Sequence, residues 1–219
     1  MRITIASRAG LVGALLLAGL GAGAAPAAAS NPSGVASLGS AAFTKGSSTP
    51  ISIASLADCA VEGPTSNSSG AVSKTGITFG GGTSTCTTTV VDPANDVTAT
   101  SSVAEGKNFE LSALVSAGGP RIKVKTYKVS CNATQTSTNA SWTYGGATGI
   151  GTLPSPVPVG YVKPITKSNG TLLAEAVFNE QTLPGDGSIG LTMLRIKFAP
   201  ASNITGEVVI GRTACSPTP

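Results

Sequence analysis

The chain of 219 residues contains no histidine and has few charged or aromatic side chains. The missing histidine removes the commonest general base, the commonest neutral metal ligand and the usual proton switch near pH 7. Nucleophilic sites of the Ser-His-Asp or Cys-His type are therefore excluded. Charged residues make up only 11% of the chain, which argues against disorder of the highly charged, weakly hydrophobic kind.

The N-terminal segment has the order of parts that is typical of a secretory signal peptide. Arg2 and Arg8 provide a short positive region, and residues 11–20 form an apolar run. Small residues with Ala-x-Ala triplets follow, so we predict a cleaved signal peptide at residues 1–29. The apolar run is too short for a mature membrane span, and no later apolar stretch approaches the required 20 or so residues. We expect an exported mature chain of about 190 residues without a membrane span.

Removal of the signal peptide changes the charge balance. The full chain has a net charge of +4, and loss of Arg2 and Arg8 leaves about +2. This weak basic excess predicts no nucleic-acid partner. No cysteine lies directly after the predicted cleavage site, so a lipid anchor is not expected, and the C-terminus has neither an apolar tail nor a basic stop. We therefore expect a secreted protein, either free or held to the cell wall without a covalent bond.

Four cysteines, Cys59, Cys86, Cys131 and Cys215, lie beyond the predicted signal peptide. An even number of cysteines in an oxidising compartment predicts two disulfide bonds. Three connectivities are open. We favour Cys59–Cys86 with Cys131–Cys215, because sequential pairing keeps the first bond local and ties a late strand to the chain end. In the chain-entropy model the longer loop stabilises the fold by roughly 4 kcal/mol.

The abundance of Thr and Val and the scarcity of helical patterning favour strands. Residues 30–48 are rich in Gly and Ser, and we predict an irregular lead-in with one edge strand at 41–44. A β domain is then predicted over residues 49–219. Strand-like runs between turn signals begin this domain, at residues 51–57, 72–79, 84–91 and 97–103.

Two hairpins are predicted in the second half of the chain. The first joins residues 108–116 to residues 121–131 through a Gly-Gly-Pro turn, and the second joins residues 187–198 to residues 205–215. A further strand is predicted at residues 172–181. Many short strands separated by frequent turns predict an all-β fold, an antiparallel β-sandwich or jelly-roll-like single domain.

The C-terminal third resembles a known family in three stretches. These are residues 177–182 (Val-Phe-Asn-Glu-Gln-Thr), residues 185–196 and residues 206–215, which end in Cys215. The strand at 121–131 and the Leu-Ala-Asp-Cys segment at 56–59 also fit. Together these stretches resemble the choice-of-anchor P family, which consists of exported bacterial surface proteins common in actinobacteria.

This resemblance implies an extracellular all-β domain whose relatives carry varied surface-attachment signals. The family has no established reaction, so the resemblance supplies no catalytic residue. The chain differs from anchored relatives because it has no recognisable sorting tail. Free secretion is therefore the simpler expectation for this chain.

Carboxylates provide the remaining route to hydrolysis, because a glycosidase needs only two of them. The candidate pairs are Glu105 with Glu110 and Glu175 with Glu180. Their five-residue spacing predicts that each pair lies on opposite faces of a regular strand. We therefore interpret these carboxylates as exposed strand and turn residues, and we predict no catalytic residue.

Oxygen ligands for calcium are clustered at residues 92–96 and near Asp186. We prefer the interpretation that Asp92 and Asn95 shape their own Asx turns. We therefore predict no metal site and no cofactor.

Two candidate ligand-binding features remain. Arg121, Lys123 and Lys125 alternate with apolar residues, which predicts a basic stripe on one strand face that could meet an anionic wall polymer. The alternative is a half-buried strand whose solvent face is basic. Trp142 and Tyr144 are two residues apart and should point the same way, either to stack on sugars or to pack in the core.

These observations predict a secreted, non-enzymatic structural or binding protein of unknown ligand. The first alternative is a carbohydrate- or cell-wall-binding module that uses the Trp142 face or the basic stripe. The second is a small secreted hydrolase, or a protease inhibitor that presents the Gly/Pro-rich loop at 145–158. The sequence leaves the oligomeric state open.

Overall fold

A computed structural model of the chain describes residues 30–218. This part of the chain is built from fourteen strands and two short 3₁₀ helices, Ala113–Ala117 and Pro200–Ser202. The predicted signal peptide at 1–29 lies outside the described residues. In chain order the strands are β1 (Gly34–Lys45), β2 (Ile51–Leu56), β3 (Cys59–Ala60), β4 (Ser66–Ser69), β5 (Val72–Lys74), β6 (Ile77–Phe79), β7 (Gly82–Asp92), β8 (Val97–Leu111), β9 (Ile122–Ala133), β10 (Thr138–Gly145), β11 (Tyr161–Thr166), β12 (Leu172–Thr182), β13 (Ile189–Phe198) and β14 (Ile204–Cys215).

The strands form two antiparallel sheets that pack face to face, which confirms the predicted all-β sandwich. The first sheet has the order β11–β12–β13–β14–β1–β2, with β3 also paired to β1. The second has the order β10–β9–β8, after which β7 pairs with one half of β8 and β6 with the other. Strand β4 flanks β7, and β5 flanks β6. Within residues 30–218 no helix is long and apolar enough to cross a bilayer.

The core lies between the sheets and is filled mainly by aliphatic side chains from alternating strand positions. Strand β9 shows the pattern: Ile122 and Val124 are buried, whereas Lys123 between them is exposed. Such alternation is expected of a strand with one face on the core and the other in water. Phe79 and Phe109 meet edge to face in this core, with ring centroids 5.1 Å apart.

The irregular lead-in predicted for residues 30–48 is wrong over most of its length. Residues 34–45 form β1, which is hydrogen-bonded to β14 on one side and to β2 on the other. Leu38 is fully buried and Phe43 nearly so. The small Gly, Ala and Ser residues of this segment hide its alternation in the sequence, although they suit a strand in the middle of a sheet.

Four further strands, β3, β4, β10 and β11, were not predicted. The remaining strands lie close to their predicted positions, apart from two boundaries that need correction. The predicted strand at 72–79 is two strands, β5 and β6, because Gly76 makes a turn with a φ of 84°. The two strands predicted at 97–103 and 108–116 are one continuous strand, β8, followed by a 3₁₀ helix. The predicted hairpin with β9 is confirmed, since Leu111 pairs with Ile122 across it.

Both disulfide bonds join one sheet to the other. Cys59 on β3 is bonded to Cys86 on β7, and Cys131 on β9 is bonded to Cys215 on β14. The sequential connectivity favoured from the sequence is therefore confirmed. Each bond crosses the core, so the two sheets are covalently linked at two separate places.

Candidate functional site

A β-sandwich has two open sides, where the edge strands of the two sheets face each other. One side, between β10 and β11, is closed by residues 146–160. Ile150 of this loop is 6% exposed, and Leu153 and Val157 pack against the core. Lys123 and Thr148 exchange two backbone hydrogen bonds of 3.0 and 2.9 Å, which hold the loop onto the second sheet. The Gly/Pro-rich loop predicted at 145–158 thus serves as a side wall.

The opposite side lies between the edge strands β2 and β5. The Cys59–Cys86 bond closes one half of it, and the other half remains open as a cleft of about 750 Å³. We call it the open-side cleft. Its walls come from the end of β1, the β1–β2 loop, β2, the β5–β6 turn and the segment after β8. The lining residues are Phe43, Lys45, Ser48, Thr49, Pro50, Ile51, Ser52, Lys74, Thr75, Gly76, Ser112, Ala113 and Ser116.

The lining combines an apolar floor with a polar rim. Phe43 is 4% exposed and packs on Phe198, with ring centroids 5.3 Å apart, so its position is fixed from below. Ile51 is half-buried beside it, and Ala113 is buried. Most drug-sized ligands bind in concave sites with this mixture of apolar surface and a few polar groups.

Six hydroxyl side chains surround the floor. The Ser116 hydroxyl donates to the Ala113 carbonyl at 3.1 Å. The other five, on Ser48, Thr49, Ser52, Thr75 and Ser112, make no side-chain hydrogen bond to any residue between 30 and 218. They are free to donate to a ligand and to accept from it.

Lys45 and Lys74 are the charged residues of the cleft, and both are exposed. Among residues 30–218 neither lies within ion-pair distance of a carboxylate. Neither lysine was predicted as a site residue, because Lys45 lies in the predicted lead-in and Lys74 inside a predicted strand. An isolated lysine carries no local signal, and only the packing of the two sheets brings the end of β1 and the edge strand β5 to one cleft.

The predicted basic stripe is largely engaged with an acid from the neighbouring strand. Arg121 donates a hydrogen bond to Glu110, and the Lys123 ammonium lies 3.3 Å from the same carboxylate. The hydrogen bond from Arg121 lowers the pKa of Glu110, and Lys123 adds to this effect. Lys125 is exposed, and its stem covers Gly146. Glu110 therefore neutralises part of the charge that the stripe was expected to present.

The predicted aromatic pair points to one side of β10, and its members stack on each other. The rings of Trp142 and Tyr144 have centroids 5.7 Å apart and planes inclined by 16°. Trp142 also stacks on Phe178, a buried residue, at 6.2 Å. Trp142 is thus packed onto the core, whereas Tyr144 is 37% exposed. These ring contacts occupy surface that a sugar would need for stacking on Trp142.

The prediction that the two carboxylate pairs lie on opposite strand faces is wrong. Asn108 and Asn179 have left-handed backbone conformations, with φ of 51° and 54°. Each interrupts the alternation once, so the two carboxylates of a pair emerge on the same solvent-facing side of their sheet. Five residues of strand still separate them by roughly 16 Å, whereas glycosidases hold their carboxylates about 5–10 Å apart.

Three of these four carboxylates, Glu105, Glu110 and Glu180, are also engaged by cations. Lys128 lies 2.7 Å from Glu105 across the second sheet. On the first sheet, the Arg195 Nε donates to Glu180 at 2.7 Å, and the same guanidinium donates to Glu207. Burial alone would lower the pKa of Arg195, but the two glutamates outweigh it and raise the pKa. Ion pairs of this kind are typical of the solvated faces of a sandwich.

Both candidate calcium loops are organised by their own hydrogen bonds. Asp92 accepts hydrogen bonds from the Ala94 amide at 3.0 Å and from the Asn95 side chain at 2.7 Å, which is the expected Asx turn. Asp186 accepts from the Ser188 amide at 2.9 Å, the Ser188 hydroxyl at 2.6 Å and the Ser30 hydroxyl. In the described part of the chain no three acidic or cysteine side chains gather into a metal-binding group.

Known proteins provide no relative from which a role could be transferred. Comparison with protein families, with curated proteins and with solved structures finds no match to this chain. The resemblance to the choice-of-anchor P family therefore stays a prediction from the sequence. The open-side cleft is the feature of the fold that best combines concavity, free polar groups and unpaired charge.

Proposed function

We propose that this protein is an exported, non-enzymatic binding module that acts at a bacterial surface, and that the open-side cleft holds its ligand. The observation that carries the proposal is the contrast between the two open sides of the sandwich. One side is filled by residues 146–160, whereas the other keeps a concave site with free hydroxyls and two unpaired lysines. A site of this size and composition is suited to recognition of a small molecule or a segment of a polymer.

Export is supported by the covalent structure. Both disulfides are inter-sheet bonds, and such bonds persist in oxidising compartments outside the cytoplasm. The predicted signal peptide at 1–29 and the resemblance to exported surface proteins point the same way. Members of the choice-of-anchor P family are exported surface proteins. A ligand in the cell wall is therefore consistent with the disulfides, with the predicted signal peptide and with this resemblance.

Recognition without a reaction is supported by the chemistry of the lining. The thirteen residues around the cleft offer ammonium groups, hydroxyls and apolar surface, and no carboxylate is among them. Hydrolysis of a glycoside needs an acid and a base or nucleophile, usually two carboxylates. The lining instead consists of groups that hold a ligand by hydrogen bonds, charge and packing.

A retention assay on isolated bacterial cell walls tests the proposal. The mature protein, residues 30–219, is incubated with the walls, and the bound fraction is measured after washing. The variant Thr75→Trp places a large ring in the cleft, and Thr85→Trp is the matched control, since Thr85 is also an exposed threonine but lies on β7 outside the cleft. Circular dichroism confirms that both variants are folded.

We expect the native protein and Thr85→Trp to be retained and Thr75→Trp to be lost in the wash. Equal retention of the two variants would show that the walls bind another surface, and the cleft would then not be the site. No retention of the native protein would overturn the proposed role at the wall.

A further inference from the structure

We infer that the ligand of the open-side cleft is an anionic glycan, whose carboxylate or phosphate groups are held by Lys45 and Lys74. This inference rests on the proposed function, because it assumes that the cleft is the binding site. It adds the chemical class of the ligand, which is decided by the distribution of charge, by the free hydroxyls and by the shape of the cleft.

The charge argument starts from the whole chain. It has 14 basic and 10 acidic residues, and setting aside Arg2, Arg8 and the two cleft lysines leaves ten of each. The net positive charge of the mature chain is therefore equal to that of the cleft. Elsewhere Arg121, Lys123, Lys128 and Arg195 form ion pairs with glutamates, whereas six other basic residues of the described part form none. Lys45 and Lys74 differ from these six because they line one concave site that contains no carboxylate. A concave site with an uncompensated charge of one sign attracts ligands of the opposite sign.

The hydroxyls and the apolar floor indicate a sugar. Five free hydroxyls on the rim can exchange hydrogen bonds with the hydroxyls of a sugar ring, donating to some and accepting from others. Pro50 and Ile51 offer apolar surface to the C–H face of such a ring. Phe43 is too deeply buried to stack with a nucleobase, being only 4% exposed. An acidic peptide is the main competing ligand, because β2 and β5 each have a free edge.

The shape of the cleft favours a segment of a longer glycan. A volume of about 750 Å³ lies in the range of small-molecule sites. The cleft runs between two edge strands and opens to solvent along the side of the sandwich. A few sugar units of a polymer can therefore occupy the cleft while the rest of the polymer continues into solvent. Residues 146–160 lie on the opposite side of the sandwich and do not obstruct it.

Isothermal titration calorimetry of the mature chain with four probes tests the inference. An oligogalacturonate carries carboxylates, poly(glycerol phosphate) carries phosphates, and maltoheptaose is a neutral sugar of similar hydroxyl content. Poly-L-glutamate represents an acidic peptide. We expect the carboxylate or the phosphate probe to bind, the stronger of the two identifying the source of the charge. Affinity should fall when salt is raised from about 50 mM to about 500 mM, because salt screens exposed charges.

Charge-removing variants identify the residues. The double variant Lys45→Gln/Lys74→Gln should lose about tenfold or more in affinity for the anionic probe, because two charge-assisted contacts disappear. The control is Lys107→Gln/Lys125→Gln, which removes two exposed lysines from outside the cleft. It should change the affinity by less than about twofold, since distant surface charges are screened.

The outcomes separate this inference from the proposed function. Equal affinity for maltoheptaose and for the anionic probes, unchanged in Lys45→Gln/Lys74→Gln, would overturn the anionic ligand. If Thr75→Trp still abolished retention on walls, the cleft would remain the site. Tighter binding of poly-L-glutamate than of either anionic polymer would show that the ligand is an acidic peptide. Failure of all four probes to bind would also overturn the inference.

Discussion

Tyr127 of β9 donates a hydrogen bond of 3.0 Å to the backbone carbonyl of Leu38 in β1, across the interior of the sandwich. The tyrosine is 4% exposed and Leu38 is fully buried. Burial raises the pKa of the Tyr127 hydroxyl well above its ordinary value, so this group remains a donor at neutral pH. The bond links the two sheets at a third place, apart from the disulfides.

Replacement of Tyr127 by phenylalanine should therefore destabilise the protein. Tyr127→Phe keeps the ring packing but leaves the Leu38 carbonyl without this partner, which should cost about 1–2 kcal/mol of the free energy of unfolding. Urea unfolding followed by circular dichroism measures the loss. An unchanged midpoint would mean that the carbonyl finds another donor.

The same pair predicts a pH dependence at the alkaline end. A tyrosine whose pKa is raised by folding contributes stability that is complete below the unfolded value of about 10 and is lost as the pH rises above it. The stability difference between the native protein and Tyr127→Phe should thus be constant from pH 6 to about 9 and narrow above about pH 10. A difference that widens in alkali would contradict the assignment of the raised pKa.

Gly106 on β8 is the residue that makes room for the Tyr127 ring. A Cβ added at Gly106 would lie 2.1 Å from Cζ of Tyr127. We expect Gly106→Ala to cost more than about 3 kcal/mol, because neither rigid strand can yield to a clash of this size. In a Tyr127→Ala background the added cost should fall below about 1 kcal/mol. Gly70→Ala is the control, since nothing lies within 4 Å of the added carbon.

The two disulfides should differ in how much they stabilise the fold. Their sequence separations are 27 residues for Cys59–Cys86 and 84 for Cys131–Cys215. In the chain-entropy model, replacing both cysteines by alanine should cost about 3.5 kcal/mol for the first bond and about 4.5 kcal/mol for the second. Denaturant unfolding of the two double variants measures the free energy of unfolding that each one loses. A larger loss for the Cys59–Cys86 variant would show that native packing outweighs loop entropy.

Asp186 predicts an acid-sensitive contribution to stability. Hydrogen bonds from Ser188 and Ser30 lower its pKa from 3.8 to about 2. A carboxylate with a depressed folded pKa contributes stability that is present above its unfolded value and is lost as the pH falls through the folded value. The melting temperature of the native protein should exceed that of Asp186→Asn at neutral pH, and the two should converge between pH 4 and about 2.

Asp96→Asn, in the exposed β7–β8 turn, controls for the loss of one surface charge. A difference that persisted unchanged down to pH 2 would mean that the Asp186 side chain acts by its shape and not by its charge.

Much of the fold was predictable because local rules decide it. Strand β9 alternates apolar and polar residues along most of its length, and turn residues separate β9 and β14 from their neighbours. The cysteine count and the oxidising compartment implied two disulfides, and sequential pairing was confirmed. Of strand β1 only residues 41–44 were predicted, and as an edge strand, although β1 has a neighbour on each side. The rest was missed because its small residues carry almost no hydrophobic contrast between the two faces.

Two features of the surface could not be read from spacing. The left-handed conformations of Asn108 and Asn179 shift the alternation of β8 and β12, so a count of residues puts Glu110 and Glu180 on the wrong face. Asparagine tolerates this conformation but does not require it. Likewise, Glu110 lowers the effective charge of the basic stripe. Only the pairing of β8 with β9 brings Glu110 beside Lys123.

Composition and pattern alone thus determined the all-β class, the absence of histidine-dependent chemistry and the number of disulfide bonds, since these follow from residue types, from the even number of cysteines and from short-range periodicity. The open-side cleft was decided by the tertiary structure. Lys45 and Lys74 belong to different sheets, and the space between them exists because one side of the sandwich is closed by a loop and the other is not. Such a site depends on how the two sheets are packed and on which edge a loop covers, and no local pattern records either.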